Sequence, residues 1–408
     1  MPRRVLATDA QERSMLAAIR CLGQAGFEVT AVADTGIAPG MWSRAAVEHR
    51  PAPDPRVSVG DFIAKLEAIV SERHYDLLVP GTDISLLTVS SERHRLAPHV
   101  DLGLPPHEIV ERALDRKVLA QEAADVELAS PDARVCERPE DALDAALSFG
   151  YPVLVKPSRI VREIDGGMQR FASVLAHDPP TVTDAAGEFG TCIVQRCATG
   201  PVISFGGVVT DDGLLAFVVS RYLRTWPPEA GNVCFSETIV PPVGLAERVE
   251  ALAARIGWVG LFELELIEQP DGSLAAIDFN PRAYGSMTLA AAAGVPLSAL
   301  WCSWALGDEP GSSSARAGIR YRWEDADFRH CLWQLRHGRI RAAASVLRPH
   351  REVTHAYFQA RDPAPLIARG AQLVRLARNH RRQKLPSGRF ATAGAQPPSL
   401  GSEGSRRS

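Results

Sequence analysis

The sequence predicts an α/β fold that becomes α+β in its middle and closes on a helical extension, and three observations predict it. Apolar runs with strand and helix periods alternate over residues 5–100, as in a parallel sheet with helices on its faces. Two stretches with period-2 alternation are folded around Asp-Gly steps, at 211–213 and 271–272, as antiparallel hairpins are. Beyond Gly307 the composition shifts to Gly-Ser and then to arginine-rich helical segments.

Taken in order, residues 5–8 are a short strand, 11–24 a helix with Met15, Leu16, Ile19 and Leu22 on one side, and 28–33 a second strand. A helix at 59–72, a buried strand at 76–79 and a helix from Ile84 continue the alternation. The first turn, Thr8-Asp9-Ala10-Gln11-Glu12, has no glycine, which argues against a dinucleotide-binding dehydrogenase. Leu104-Pro105-Pro106 marks a boundary, and helices at 108–124 and 140–149 lead into Tyr151-Pro152-Val153-Leu154-Val155-Lys156-Pro157, an apolar strand that ends on a lysine. Residues 159–170, with Gly166-Gly167 among charges, read as a mobile loop. Strands follow at 191–195, 203–209 and 214–220, then an amphipathic helix at 245–256 and a buried Ala/Leu-rich helix at 287–293. Helices are expected at 327–347 and 365–382, and residues 386–408, rich in Gly, Ser and Pro, read as disordered.

The segment 262–285 carries the most chemistry. With Asp271 and Gly272 as a two-residue turn, Glu265 faces Asp278, Glu263 faces Asn280, and all four lie on one face. The other face pairs Leu264 with Phe279 and Leu266 with Ile277 as core. Opposed carboxylates about 5 Å apart repel unless a cation or proton lies between them. Three carboxylates and an amide oxygen are hard donors of the kind Mg²⁺ prefers. Arg282, just beyond, offers a fork of donors to phosphate oxygens. A hairpin with one wet acidic face is the plainer alternative.

With 408 residues, 46% hydrophobic and 23% charged, the chain is long enough for two or three globular domains. A net charge of -3 argues against nucleic acid as the main partner. Seven cysteines without metal spacing suggest reduced thiols, the first residues do not read as a signal peptide, and the stretch 289–300 is too short to span a bilayer. A cytoplasmic protein without a membrane span is the expectation. Among 45 basic residues only Lys65, Lys117, Lys156 and Lys384 are lysines, so each is a candidate for a role that needs a compact ammonium. The basic C-terminal helices admit two readings: a packed appendage with a solvated face, or a docking surface for lipid or an acidic partner.

Residues 1–307 resemble the ATP-grasp superfamily, and within it the carbamoyl-phosphate-synthase-like, carboxylate-amine ligase branch. The resemblance rests on the strand ending Val155-Lys156-Pro157, on Leu114-Asp115-Arg116-Lys117, on Val194-Gln195-Arg196-Cys197-Ala198-Thr199-Gly200 as an adenine-contacting linker, and on Glu265 followed by Asp278-Phe279-Asn280-Pro281-Arg282. It implies a Rossmann-like preceding domain at 1–105, a small lobe with helical lead-in at 106–194 and a large lobe at 195–307, to which the composition adds a basic helical extension at 308–385 and a tail at 386–408. It further implies that ATP is held by Lys117, Lys156, Gln195, Arg196, Cys197, Glu265 and Asp278. Mg²⁺ or Mn²⁺ would be held by Glu265, Asp278 and Asn280, with Lys156 and Arg282 catalytic. The implied reaction joins a small-molecule carboxylate to an amine through an acylphosphate, and a homodimer is compatible with it. Arg221, Arg224 and Trp226 are candidates for recognising the acid, with a solvent-facing strand end as the alternative. Two departures stand out: aspartate at 278 where the family usually has glutamate, and Arg196 where it usually has glutamate. They keep open a second reading, an ATP-binding module with lost or weak turnover acting as a regulatory or scaffold protein.

Overall fold

The computed structural model describes residues 2–129, 132–197, 200–228, 231–311 and 313–382. The tail expected at 386–408, Lys384, and Ala198 and Thr199 of the linker lie outside the described residues.

The alternating N-terminal pattern folds as a four-stranded parallel sheet in the order Ala46–Pro51, Glu28–Ala33, Arg4–Ala7, Leu77–Val79. Three of its strands, Glu28–Ala33, Arg4–Ala7 and Leu77–Val79, are largely apolar and buried because both faces are covered. Val5 and Ala7 pack with Met15, Ile19 and Leu22 of the helix Arg13–Gln24, while Leu6 packs with Phe62, Ile63 and Leu66 of the helix Val59–Glu72. The strand Ala46–Pro51 went unread because its inner residues, Val47 to Arg50, are charged or exposed, as an edge strand allows.

A second sheet, antiparallel, runs Ala133–Cys136, Cys192–Arg196, Val153–Pro157, Val174–Ala176. The helices Pro139–Phe149 and Pro179–Phe189 cover one face through Ala142, Ala145, Val182 and Ala186. The expected mobile loop at 159–170 is instead a hairpin, Val161–Ile164 with Gly167–Arg170. Asp165 and Gly166 both take positive φ, 52° and 79°, as a primed two-residue turn requires. This hairpin is docked, since Gly166 O accepts from the Val59 amide at 2.9 Å and the Met168 amide donates to Pro55 O at 3.0 Å.

The largest sheet has seven strands: Leu274–Asn280, Gly260–Glu268, Val202–Thr210, Gly213–Trp226, Asn232–Thr238, Arg320–Arg322, Val353–His355. Its last two strands come from the segment expected to be a basic helical extension. That segment, expected as a packed appendage, holds the helices Glu324–Arg336, Ile340–Val346 and Ala364–Arg382 and also extends the sheet by two short strands. Three-residue strands carry too little period-2 signal to be read from sequence. The buried helix expected at 287–293 is present as Thr288–Ala292, and beyond Gly294 and Pro296 a second helix, Leu297–Ala305, follows it. All seven cysteines are free thiols, and among the described residues no helix is long and apolar enough to cross a membrane.

Candidate active site

The acidic hairpin places Glu263 opposite Asn280 and Glu265 opposite Asp278. It reaches that register by a different route from the expected one. The loop has three residues, 270–272, closed by the Gln269 amide donating to Ser273 O at 2.8 Å, with Gly272 in the left-handed region at φ 83°. A bulge at Ile277 then restores the alignment, so Leu266 pairs with Ala276 and not with Ile277. The bulge is where Lys156 arrives: its Nζ donates to Ile277 O at 3.0 Å, tying the second sheet to the hairpin.

Each acidic side chain is bonded, and the Tyr222 hydroxyl reaches two of them, Glu265 and, at 3.4 Å, Glu263. Asp278 accepts two bonds from Arg116, Nε at 3.2 Å and Nη2 at 3.1 Å. Glu265 accepts from the Tyr222 hydroxyl at 2.7 Å, and the buried Glu263 accepts from Ser204 Oγ at 2.6 Å and Asn280 Nδ2 at 3.2 Å. The Asn280 amide oxygen in turn accepts from Arg282 at 3.2 Å. Arg282 grips Asp83, the first residue of the helix Asp83–Ser91, with Nε at 2.5 Å and Nη2 at 3.0 Å, and Arg170 approaches the same carboxylate at 3.4 Å. Asp83 therefore joins the parallel sheet, the docked hairpin and the acidic hairpin at one point. Arg13 adds a further cation, with Nε donating to Gly285 O at 3.2 Å and its guanidinium stacked 3.7 Å over Trp323.

The electrostatics of this cluster are unbalanced. Burial, together with Glu263 and Asp278, pushes the Glu265 carboxyl up to about 8, and burial raises Glu263 as well. Burial also opposes ionisation of Asp278, but the Arg116 fork and Lys156 outweigh it and hold that carboxyl below its ordinary range. Burial and the nearby Arg116 bring the Lys156 ammonium down to about 8. Asp83 is buried too, yet Arg282 and then Arg170 draw it to about 2.

Not every residue read from the sequence enters this cluster. The backbone amide of Lys117 is capped by Asp115, donating to its Oδ1 at 2.8 Å, while the half-exposed Lys117 ammonium lies 3.7 Å from Glu137. Its neighbour Arg116 is the residue that reaches the acidic face. Gln195 is buried in the strand Cys192–Arg196, Arg196 pairs at 3.1 Å with Asp132, and Cys197 lies near enough to Lys156 for each to influence the other's ionisation. The three candidates for acid recognition are not brought together. Arg221 pairs with Glu268 at 3.1 Å, Arg224 is bound through two donors to Asp327 at 2.6 and 2.9 Å, and Trp226 packs with Tyr222 and Tyr321.

Arg116, Tyr222, Ser204, Arg170 and Arg13 were missed as site residues. Arg116 and Tyr222 lie inside segments the sequence singled out, but the rarity of lysine drew attention to Lys117, and one tyrosine in a strand has no distinguishing pattern. The other three have no local signal, since only packing brings them near.

The donor set suits a divalent cation. Among the described residues no three His, Cys, Asp or Glu side chains are grouped as a metal cage. Glu265, Asp278 and Asn280 nonetheless present hard oxygens of the kind Mg²⁺ accepts when phosphates and water complete its shell. Burial and the neighbouring Glu263 and Asp278 disfavour ionisation of Glu265, and a bound cation would offset both.

No family model matches the chain. It is 24% identical over 275 residues to the carbamoyl phosphate synthase large chain of Halobacterium salinarum, a match over 64% of this chain and 23% of that protein. The chain thus spans under a quarter of that relative's length. Among solved structures it is similar to N5-carboxyaminoimidazole synthetase from Staphylococcus aureus, with TM-score 0.56 and 12% identity over 77% of this chain and 81% of that one. It is also similar to an L-amino acid ligase from Bacillus licheniformis, with TM-score 0.57 and 14% identity over 76% and 75% of the two chains. A third is the biotin carboxylase domain of Hydrogenobacter thermophilus 2-oxoglutarate carboxylase, in complex with MgADP, ADP and bicarbonate, with TM-score 0.59 and 16% identity over 78% and 73%.

Proposed function

We propose, from the ATP-grasp fold this chain has, that it is an ATP- and Mg²⁺-dependent ligase joining a carboxylate to an amine or similar nucleophile through an acylphosphate. The observation that carries the reading is the convergence of Lys156, Arg116 and Arg282 on one acidic face, at the junction of three sheets. Cations aimed at one space are what a triphosphate needs, because phosphoryl transfer depends on positioning and charge neutralisation more than on covalent help.

In this reading an oxygen of the substrate carboxylate attacks the γ-phosphorus as the bond to the β-bridging oxygen breaks, and ADP leaves with that electron pair. The amine nitrogen then attacks the acyl carbon, inorganic phosphate departs, and the nitrogen's proton passes to solvent. Lys156 and Arg116 hold phosphate oxygens, and Arg282, braced by Asp83, holds the transferred group or the acid. Glu265, Asp278 and Asn280 would hold Mg²⁺, which when bound supplies charge neutralisation at the phosphates. Lys117, Gln195, Arg196 and Cys197 remain proposed for ATP. Arg221 and Trp226 remain proposed for the acid, and Arg224 is set aside because Asp327 already engages it.

The test is release of ADP from MgATP with a panel of acids and amines, with hydroxylamine added to trap an acylphosphate as its hydroxamate. Hydroxamate formation with any acid supports the ligase. MgATP binding without ADP release from any acid favours instead a nucleotide-binding module. The observation behind that second reading is the engagement of Asp278 by Arg116.

A further inference from the structure

Residues 328–351 hold six arginines and no aspartate or glutamate, in a chain whose formal net charge is -3. They make up most of a helical hairpin, Glu324–Arg336 and Ile340–Val346, whose two arms meet through Cys331, Ala343 and Val346. That small core leaves the outer side of the hairpin bare. Phe328 is 60% exposed, Leu335 48%, Ile340 70% and Leu347 75%, and Leu332 is exposed as well. Phe328, Leu332 and Leu335 follow one another at spacings of four and three, so they share one helical face. Every residue from 335 to 341 is exposed, which makes the turn between the arms a projecting tip. Arg336, Arg339 and Arg341 surround the apolar side chains there, and Trp333 lies beneath Arg339 at 5.3 Å.

Single exposed apolar residues are ordinary, but five on one hairpin whose tip carries only positive charge are not. We infer that this hairpin docks on an anionic lipid surface, its apolar tip entering the boundary between headgroups and acyl chains while its arginines meet the headgroup phosphates. A second copy of the chain fits less well, because a two-fold contact through this surface would set arginines against arginines with no acid in the stretch to pair them. The tip is convex, which suits a soft planar surface better than the groove of a protein partner. The base is already anchored. Asp327, on the buried side of the same helix, accepts from Arg224 at 2.6 Å and lies 3.0 Å from Arg322, so the hairpin is held in place before it meets a bilayer.

The experiment is flotation of the full chain with phosphatidylcholine vesicles, with and without phosphatidylglycerol, across a salt series. Binding is expected on the anionic vesicles only, at least about tenfold tighter than on neutral ones and weakening as salt rises. The double variant L335D/I340D and the triple variant R336E/R339E/R341E should each lose about tenfold or more of that affinity, with an unchanged unfolding midpoint showing that both fold. Equal binding to neutral vesicles, no binding to either, or binding indifferent to both variants overturns the inference. So does a concentration-dependent dimer that L335D/I340D abolishes in sedimentation velocity, which assigns the surface to a second copy. Salt-sensitive binding of an acidic polypeptide without vesicle binding overturns it in favour of a protein partner.

Discussion

Tyr222 and Arg224 stand two residues apart on one strand and serve two clusters of opposite character. Tyr222 bonds Glu265 in the acidic face, and Arg224 bonds Asp327 beneath the C-terminal hairpin. The strand's register shifts between them, which lets near neighbours reach different partners. Around Asp327 the charges are answered. One buried carboxylate meets Arg224 and Arg322, and both guanidiniums also lie over the face of Phe235, at 4.1 and 5.2 Å. In the acidic face they are not answered: Glu265 is driven up to about 8 and Lys156 down to about 8 in the same space. A satisfied ion cluster serves as scaffold, whereas a strained one marks a place prepared for charge that arrives with a ligand.

The sharpest way to break this contrast is to remove the anion from the satisfied cluster. Asp327→Ala should cost about 3–5 kcal/mol in urea unfolding, because it leaves two guanidiniums buried without a counter-charge. Nucleotide-dependent stabilisation should survive in the protein that remains folded. Lys156→Ala should do the reverse. It should abolish thermal stabilisation by MgATP and lower ADP release about a hundredfold or more, while changing intrinsic stability by less than about 1 kcal/mol, since burial already disfavours the ammonium. If both variants lose stability alike and bind nucleotide alike, the two clusters do not differ as described.

A pH series measured without divalent cations probes the strain directly. Glu265 titrates near 8 in the folded chain and at 4.5 when free, so the stability linked to it is fully present below 4.5 and is lost as pH rises to about 8. Lys156 works in the opposite sense, since its folded value of about 8 lies below the free 10.5 and stability recovers between the two. The unfolding midpoint should therefore dip near pH 8. Glu265→Gln should flatten the falling limb, and added Mg²⁺ should fill the dip by binding the folded form. The smallest effect is expected from Asp278→Glu, which lengthens the side chain by one methylene beside Arg116. The Mg²⁺ concentration for half-maximal ADP release should move by less than about tenfold.

Much of this architecture was legible because its signals are local. The N-terminal alternation, the amphipathic helix Leu245–Ile256 and the pairing of Glu265 with Asp278 all follow from periodicity and an Asp-Gly step. That pairing was reached through two departures that offset each other, a loop one residue longer than the dipeptide suggests and a bulge at Ile277. The docked hairpin at 161–170 and the strands Arg320–Arg322 and Val353–His355 were hidden because their stability comes from distant neighbours: Pro55 and Val59 for the first, the edge of the large sheet for the others. The rare lysines pointed to Lys156, whose Nζ bonds Ile277 O beside the acidic face, and drew attention from Arg116 to Lys117, because scarcity does not say which way a side chain faces.

By itself the sequence determined which segments alternate, which residues share the acidic face, and that positive charge is concentrated in the C-terminal helices, since each of these depends only on the spacing of side chains along one element. The tertiary structure alone decided which arginine answers which carboxylate. Arg116, Arg224 and Arg282 are the same residue type, yet the first bonds Asp278 and the last Asn280 of the acidic hairpin, while the second braces the C-terminal hairpin. An ion pair is a relation between two points in space, and chain spacing constrains it only when both partners belong to the same helix or hairpin.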